Sequence, residues 1–139
     1  MKIYLSGGIT GLSKEEYTNW RYKFINAVRF NYDCKTPTFF DPSTHYLPDD
    51  HYYKSEREVM EFELSVLRKS DLVVVNFNAP QSIGTAMEIA IARERHIPIV
   101  GLCKDVETLH PWLIESCTRI CSDMRELVEH VVQYYISNL

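Results

Sequence analysis

The sequence predicts an α/β fold: a Rossmann/flavodoxin-like three-layer sandwich around a parallel five-stranded sheet, in the order 2-1-3-4-5. Three observations predict it. Short β-branched runs alternate with segments of helical period along the chain, the pattern of a parallel sheet joined by right-handed crossovers. The run Leu72 to Val75 is apolar throughout, as expected of a strand covered on both faces. Glycine-containing turns follow the first and third strands, and this strand order sets those turns side by side at the switch point where open sheets bind ligands.

Lys2 to Ser6 reads as the first strand and runs into Ser6-Gly7-Gly8-Ile9-Thr10-Gly11. Glycines there permit a tight turn and close approach of a ligand to the backbone. The spacing is not Gly-x-Gly-x-x-Gly and there is no Walker lysine, so neither a dinucleotide site nor a P-loop follows. Ser13-Lys-Glu-Glu16 is a capping box that starts a helix running to about Phe30. Tyr17, Trp20, Phe24 and Val28 form its apolar face, and a stripe at that spacing reads as core. Thr36 to Phe40 is expected as the second strand.

Asp41 to Ser55 is long, polar and aromatic, with two prolines. Tyr46, Tyr52 and Tyr53 fit either a lid stacking on a flat heterocycle or a self-packed surface loop. Ser55 caps a helix to Lys69 with Glu58 at N3, burying Val59, Phe62, Val66 and Leu67. Glu63 flanks that stripe and, taken alone, reads as a solvated or salt-bridged helix position. After the third strand comes the turn Asn76 to Gly84. The next helix carries Ile83, Met87, Ala90, Ile91 and Ala92 as its apolar stripe. His96 to Leu102 is the fourth strand, Pro111 opens a short helix, Arg119 to Cys121 is a short fifth strand, and Asp123 caps a last helix through Ile136.

At 139 residues the chain reads as one domain, residues 1–139, with 24% charged residues and a net charge of −4. No clustered positive face is present, which argues against nucleic acid as a partner. No apolar run reaches membrane-span length, so no membrane is expected. Met1-Lys-Ile-Tyr-Leu enters a strand directly, so no signal peptide is expected and the expected location is cytoplasmic. The four cysteines show no Cys-x-x-Cys spacing and read as free thiols; the five histidines are scattered, and no metal or other cofactor is expected.

Glu88 is the residue of most chemical interest. It lies one helical turn beyond Gly84, so its carboxylate can point back toward the strand's C-terminal edge. Glu63 is a second acid able to reach the same crevice. Two carboxylates without a metal suit glycosidic chemistry, one attacking or stabilising an oxocarbenium-like carbon. The turn Gln81-Ser-Ile-Gly-Thr85 offers N–H groups and the Ser82 hydroxyl to a sugar hydroxyl or a phosphate, although capping is the common use of both Ser82 and Thr85.

Three segments then carry a resemblance. Ile3-Tyr-Leu-Ser-Gly-Gly, the Ser70-Asp71 that opens the apolar strand, and Ser82-Ile-Gly-Thr-Ala-Met-Glu88-Ile-Ala resemble the nucleoside 2-deoxyribosyltransferase superfamily, which includes the 2'-deoxynucleoside 5'-phosphate N-hydrolases. The likeness spans most of the chain and is most specific at Gly-Thr-x-Met-Glu. It implies a Rossmann-like fold and cleavage of the N-glycosidic bond of (deoxy)nucleosides or nucleoside 5'-monophosphates. Glu88 is implied as the nucleophile at the anomeric carbon, with a second base taking the sugar in transferases and water in hydrolases.

The family's aspartate eight residues before the strand-opening Asp falls on Glu63, one methylene longer. Tyr4 and Gly7 match the first-strand motif. Gly8 and Thr10 stand where the phosphate-specific hydrolases carry a serine and an arginine. Ser82 matches a serine those hydrolases use toward phosphate. With Asn76, Gly84 and Thr85 these make the expected substrate-binding set. The resemblance also implies a homo-oligomer whose sites borrow residues from a neighbour, with Tyr134, Tyr135 and Asn138 as candidates. The alternative is a non-catalytic binder of a nucleotide or nucleotide-derived signal, motivated by Glu63 and the altered glycine loop.

Overall fold

The structure is a computed structural model that describes residues 1–31, 37–45 and 52–138. Five parallel strands form one sheet: β1 (Lys2–Gly7), β2 (Thr38–Phe40), β3 (Leu72–Asn76), β4 (Ile99–Leu102) and β5 (Arg119–Cys121). Their order is β2-β1-β3-β4-β5, the flavodoxin-like order expected from the sequence. The helices are α1 (Lys14–Phe30), α2 (Glu56–Leu67), α3 (Ile83–Glu94), α4 (Pro111–Ser116) and α5 (Met124–His130). The helix expected to run to Ile136 changes at Val131 into a π-helical segment, Val131–Ile136. Part of the expected second strand and of the loop 41–55, Tyr46 included, lies outside the described residues.

Alternation along the strands sorts the core into two layers. Ile3 and Leu5 of β1 pack with Trp20, Phe24 and Val28 of α1 and with Leu127, Val128 and Val131. Tyr4 faces the opposite side, with Val73, Val75, Leu67 of α2, and Ile89 and Ala92 of α3. β3 is buried through Val75, because helices cover both of its faces. Capping boxes start α1 at Ser13 and α2 at Ser55, and Asp123 caps α5. Each satisfies N–H groups the first helical turn leaves without partners.

The structure revises several elements. β4 starts at Ile99 rather than His96, because residues 96 and 97 close α3: His96 adopts φ 56°, donating to Arg93 O, while Ile97 donates to Ala92 O. These are the two bonds of a Schellman motif, with histidine where glycine is usual. On α2 the buried face is Val59, Glu63, Leu64 and Leu67, and Phe62 is half exposed. On α3 the buried face is Thr85, Ile89 and Ala92, whereas Ile83 is 76% and Met87 42% exposed. The helix is rotated from the expected stripe because hydroxyls on β1 capture Glu88, as described next. No helix among the described residues is long and apolar enough to cross a membrane.

Candidate active site

Because Tyr4 and Ser6 share one parity on β1, both side chains rise toward α3. Tyr4 Oη donates to Glu88 Oε1 at 2.7 Å, and Ser6 Oγ donates to Glu88 Oε2. Both donors are fully buried, so the carboxylate is anchored at each oxygen from beneath. Each oxygen keeps a second lone pair for other chemistry. Burial pushes the Glu88 carboxyl above the usual range, opposed by the Ser6 and Tyr4 hydrogen bonds and by the Arg21 charge. Burial, and then the nearby Glu88, raise the Tyr4 phenol, so Tyr4 remains a hydrogen-bond donor.

Above Glu88 lies a cleft of about 500 Å³. Glu63, Gly7, Thr10, Ser82, Gly84 and Thr85 line it together with Glu88. A groove of about 570 Å³ between α2 and α3 adjoins it and shares Glu63, Gly84 and Glu88. Glu63 is only 8% exposed, and its Oε1 is buried without a hydrogen-bond partner. It is therefore neither solvated nor salt-bridged. Burial first, and the Glu88 charge second, push its carboxyl up to about 8. Glu88 holds two donors and Glu63 Oε1 none, so Glu88 ionises first and Glu63 keeps its proton at neutral pH.

The other expected residues divide between the cleft wall and its support. Ser82 is the N-cap of α3: its Oγ accepts from Thr85 N at 3.3 Å and from Thr85 Oγ1 at 3.0 Å. Capping is thus the role its hydroxyl fills, while the residue still lines the cleft. Gly84 is open, with nothing within 4 Å of where a Cβ would stand. Thr10 is exposed at the rim.

Gly8 does not line the cleft. Its N–H donates to Asn78 Oδ1 at 2.9 Å, and a Cβ there would come within 2.5 Å of the Ala79 Cβ. It locks the β1 and β3 turns together. Asn76 ends β3 opposite Gly7 and also lies outside the lining; its carbonyl would stand 3.1 Å from a Cβ at Gly7. Tyr52 is fully exposed and Tyr53 half-buried.

Three contributors went unread in the sequence. Ser6 was legible from strand alternation, since it shares the face of Tyr4. Arg21 is fully buried on α1, where its Nε donates to Leu5 O at 3.3 Å and its Nη2 to Gly7 O at 3.2 Å. Asp41, just past β2, accepts from Ser43 N and Oγ and pairs with Arg21 Nε at 3.3 Å.

Known proteins of similar fold surround this chain. A conserved protein from Enterococcus faecalis V583 superposes with a TM-score of 0.75 at 20% identity, covering 95% of this chain and 97% of its own. A 2-deoxyribosyltransferase from Bacillus psychrosaccharolyticus gives 0.75 at 16% identity, covering 99% and 95%. The CMP N-glycosidase of Clostridium botulinum gives 0.66 at 15% identity, covering 96% and 99%. No curated protein sequence matches the chain. The family described as "Nucleoside 2-deoxyribosyltransferase like" matches residues 1–106, which hold β1 through β4 and the cleft residues. The chain belongs to the nucleoside 2-deoxyribosyltransferase-like family.

Proposed function

We propose that the protein cleaves the N-glycosidic bond of (deoxy)nucleosides, passing the sugar to a second base or to water. The observation that carries this reading is the Glu88 carboxylate, anchored by Tyr4 and Ser6 under an open cleft. A Glu88 oxygen attacks C1' of the sugar. The C1'–N bond breaks, its electron pair goes to the base nitrogen, and the base takes the proton held by Glu63. A second base or water then attacks C1', giving up its proton to the Glu63 carboxylate and releasing Glu88 as carboxylate. Tyr4 and Ser6 hold the nucleophile. Gly7, Thr10, Ser82, Gly84 and Thr85 surround the sugar, and Gly8 and Asn76 fix the two turns that carry them. Family membership and the names of two similar structures, a deoxyribosyltransferase and a CMP N-glycosidase, support the reading.

Chromatographic product analysis tests it, on a panel of nucleosides and their 5'-monophosphates, with and without a second free base. Base release alone means hydrolysis, and a new nucleoside means transfer. Thermal stabilisation by ligands with no product formed would favour the binding-protein alternative.

The cleft chemistry favours the unphosphorylated substrate. Among the described residues no lysine or arginine lines the cleft, while two glutamates do. A phosphate dianion there meets the Glu88 carboxylate and no cation among the described residues of the cleft wall. The kcat/KM for a deoxynucleoside is expected to exceed that for its 5'-monophosphate by about tenfold or more, the equivalent of roughly 1.4 kcal/mol. Equal or reversed values would contradict this assignment.

A second copy of the chain is the partner we propose. Met60, Ile83 and Met87 expose apolar surface on α2 and α3, and Met60 and Met87 line the groove that adjoins the cleft. A copy seated there would shield the site from water. Light scattering is expected to give a dimer or higher assembly for the wild type and a smaller species for Met87→Glu. A monomeric wild type would refute the proposal.

A further inference from the structure

We propose that Arg21 is a positioning residue for Glu88, tying down the backbone on both sides of Ser6 and bringing a buried positive charge to the end of β1 that carries Ser6. The inference rests on the glycosidic reading above for its functional meaning, but its physical content is independent of turnover. Arg21 is the only fully buried cation among the described residues. Its guanidinium spends its donors on the carbonyls of Leu5, Gly7 and Tyr17. Leu5 and Gly7 bracket Ser6, whose hydroxyl holds Glu88 Oε2. A planar fork that grips residues 5 and 7 therefore sets the direction in which Ser6 points.

The ion pair with Asp41 extends the same tie to the turn Pro42–His45, and Pro42 lines the cleft. One side chain thus fixes both the floor and a wall of the site. Of the titratable and charged groups around Glu88, Tyr4 on β1 bonds to it, while Arg21 on α1 and Glu63 on α2 interact with it through charge, with Asp41 paired to Arg21. Of these, Arg21 alone carries positive charge. It opposes the effect of burial on Glu88, and Asp41 partly neutralises it.

The test is a carbon-13 NMR titration of the Glu88 side-chain carboxyl in glutamate-labelled protein, the resonance being assigned by its loss in Glu88→Gln. Arg21→Met, Arg21→Lys and Asp41→Asn are compared with wild type. The midpoint is expected to move up in Arg21→Met, where the positive charge is gone. It is expected to move down in Asp41→Asn, where the charge no longer has a counter-ion. Arg21→Lys keeps the charge but not the fork. Its midpoint should stay near wild type while kcat falls about tenfold with KM unchanged.

A midpoint that is the same in all four proteins overturns the inference. Should Arg21→Met not fold, Asp41→Asn decides, because it leaves Arg21 and its carbonyl contacts in place; no downward shift there overturns the inference. A wild-type enzyme inactive on every nucleoside would refute the proposed reaction and leave the titration result standing on its own.

Discussion

Glu88→Gln is expected to lower kcat on any accepted nucleoside by at least about 1,000-fold while leaving the protein folded, as measured by single-turnover base release. Glutamine keeps the shape of the side chain. Its carbonyl oxygen can accept from Tyr4, and the Ser6 hydroxyl can rotate to accept from the amide. Neither buried hydroxyl is then orphaned, as both would be in Glu88→Ala. Only the nucleophilic oxygen pair is lost. Removing the charge also relieves a desolvation cost, since burial is the largest influence on this carboxyl. Thermal stability should therefore hold or rise. A variant within about tenfold of wild-type activity would contradict the role given to Glu88.

The second large effect concerns Glu63 and pH. With its carboxyl pushed up to about 8, Glu63 holds a proton through the neutral range and loses it above. A proton donor in that state gives kcat an alkaline limb near pH 8. Glu63→Gln is expected to lower kcat by about 100-fold and to flatten that limb. The same shift fixes the sign of the stability effect. The unfolded chain releases this proton in the ordinary carboxylate range, whereas the folded chain retains it to about 8. Between those values the unfolded state binds fewer protons, so stability falls as pH rises. Calorimetry should show Glu63→Gln no more stable than wild type near pH 4, and more stable by several degrees at pH 8. Equal melting temperatures at pH 8 would mean that Glu63 ionises there without cost.

Much of this architecture is legible in the sequence. Capping chemistry is local, so Ser13, Ser55 and Asp123 could be read as helix starts directly from neighbouring residues. The parallel sheet follows from alternation of elements, and the order 2-1-3-4-5 is expected as the flavodoxin-like one that sets the two glycine turns side by side. What escaped was what depends on contacts between distant segments. Ile83 and Met87 have the spacing of a buried stripe, but so do Thr85, Glu88, Ile89 and Ala92. Only Tyr4 and Ser6, on another element, decide which face turns inward.

Glu63 shows the same limit. Val59, Glu63 and Leu67 share one i+4 row on the buried side of α2, yet a charged residue in such a row ordinarily reads as flank. Arg21 sits between Tyr17 and Phe24 on the apolar face of α1, where an arginine is expected to extend its head to water. Its burial depends on carbonyls at the end of β1 and on Asp41, and no local pattern reports those.

The most direct test of the central claim is to look for the bond itself. Glu88 should form a transient glycosyl ester with the sugar of a cleaved nucleoside. Rapid acid quench of the enzyme during turnover, followed by proteolysis and mass spectrometry, is expected to show the peptide containing Glu88 heavier by one glycosyl group. Glu88→Gln should yield no such peptide. Base release at the full rate, with the glycosyl group absent from Glu88 at every quench time or found on another residue, would contradict the account.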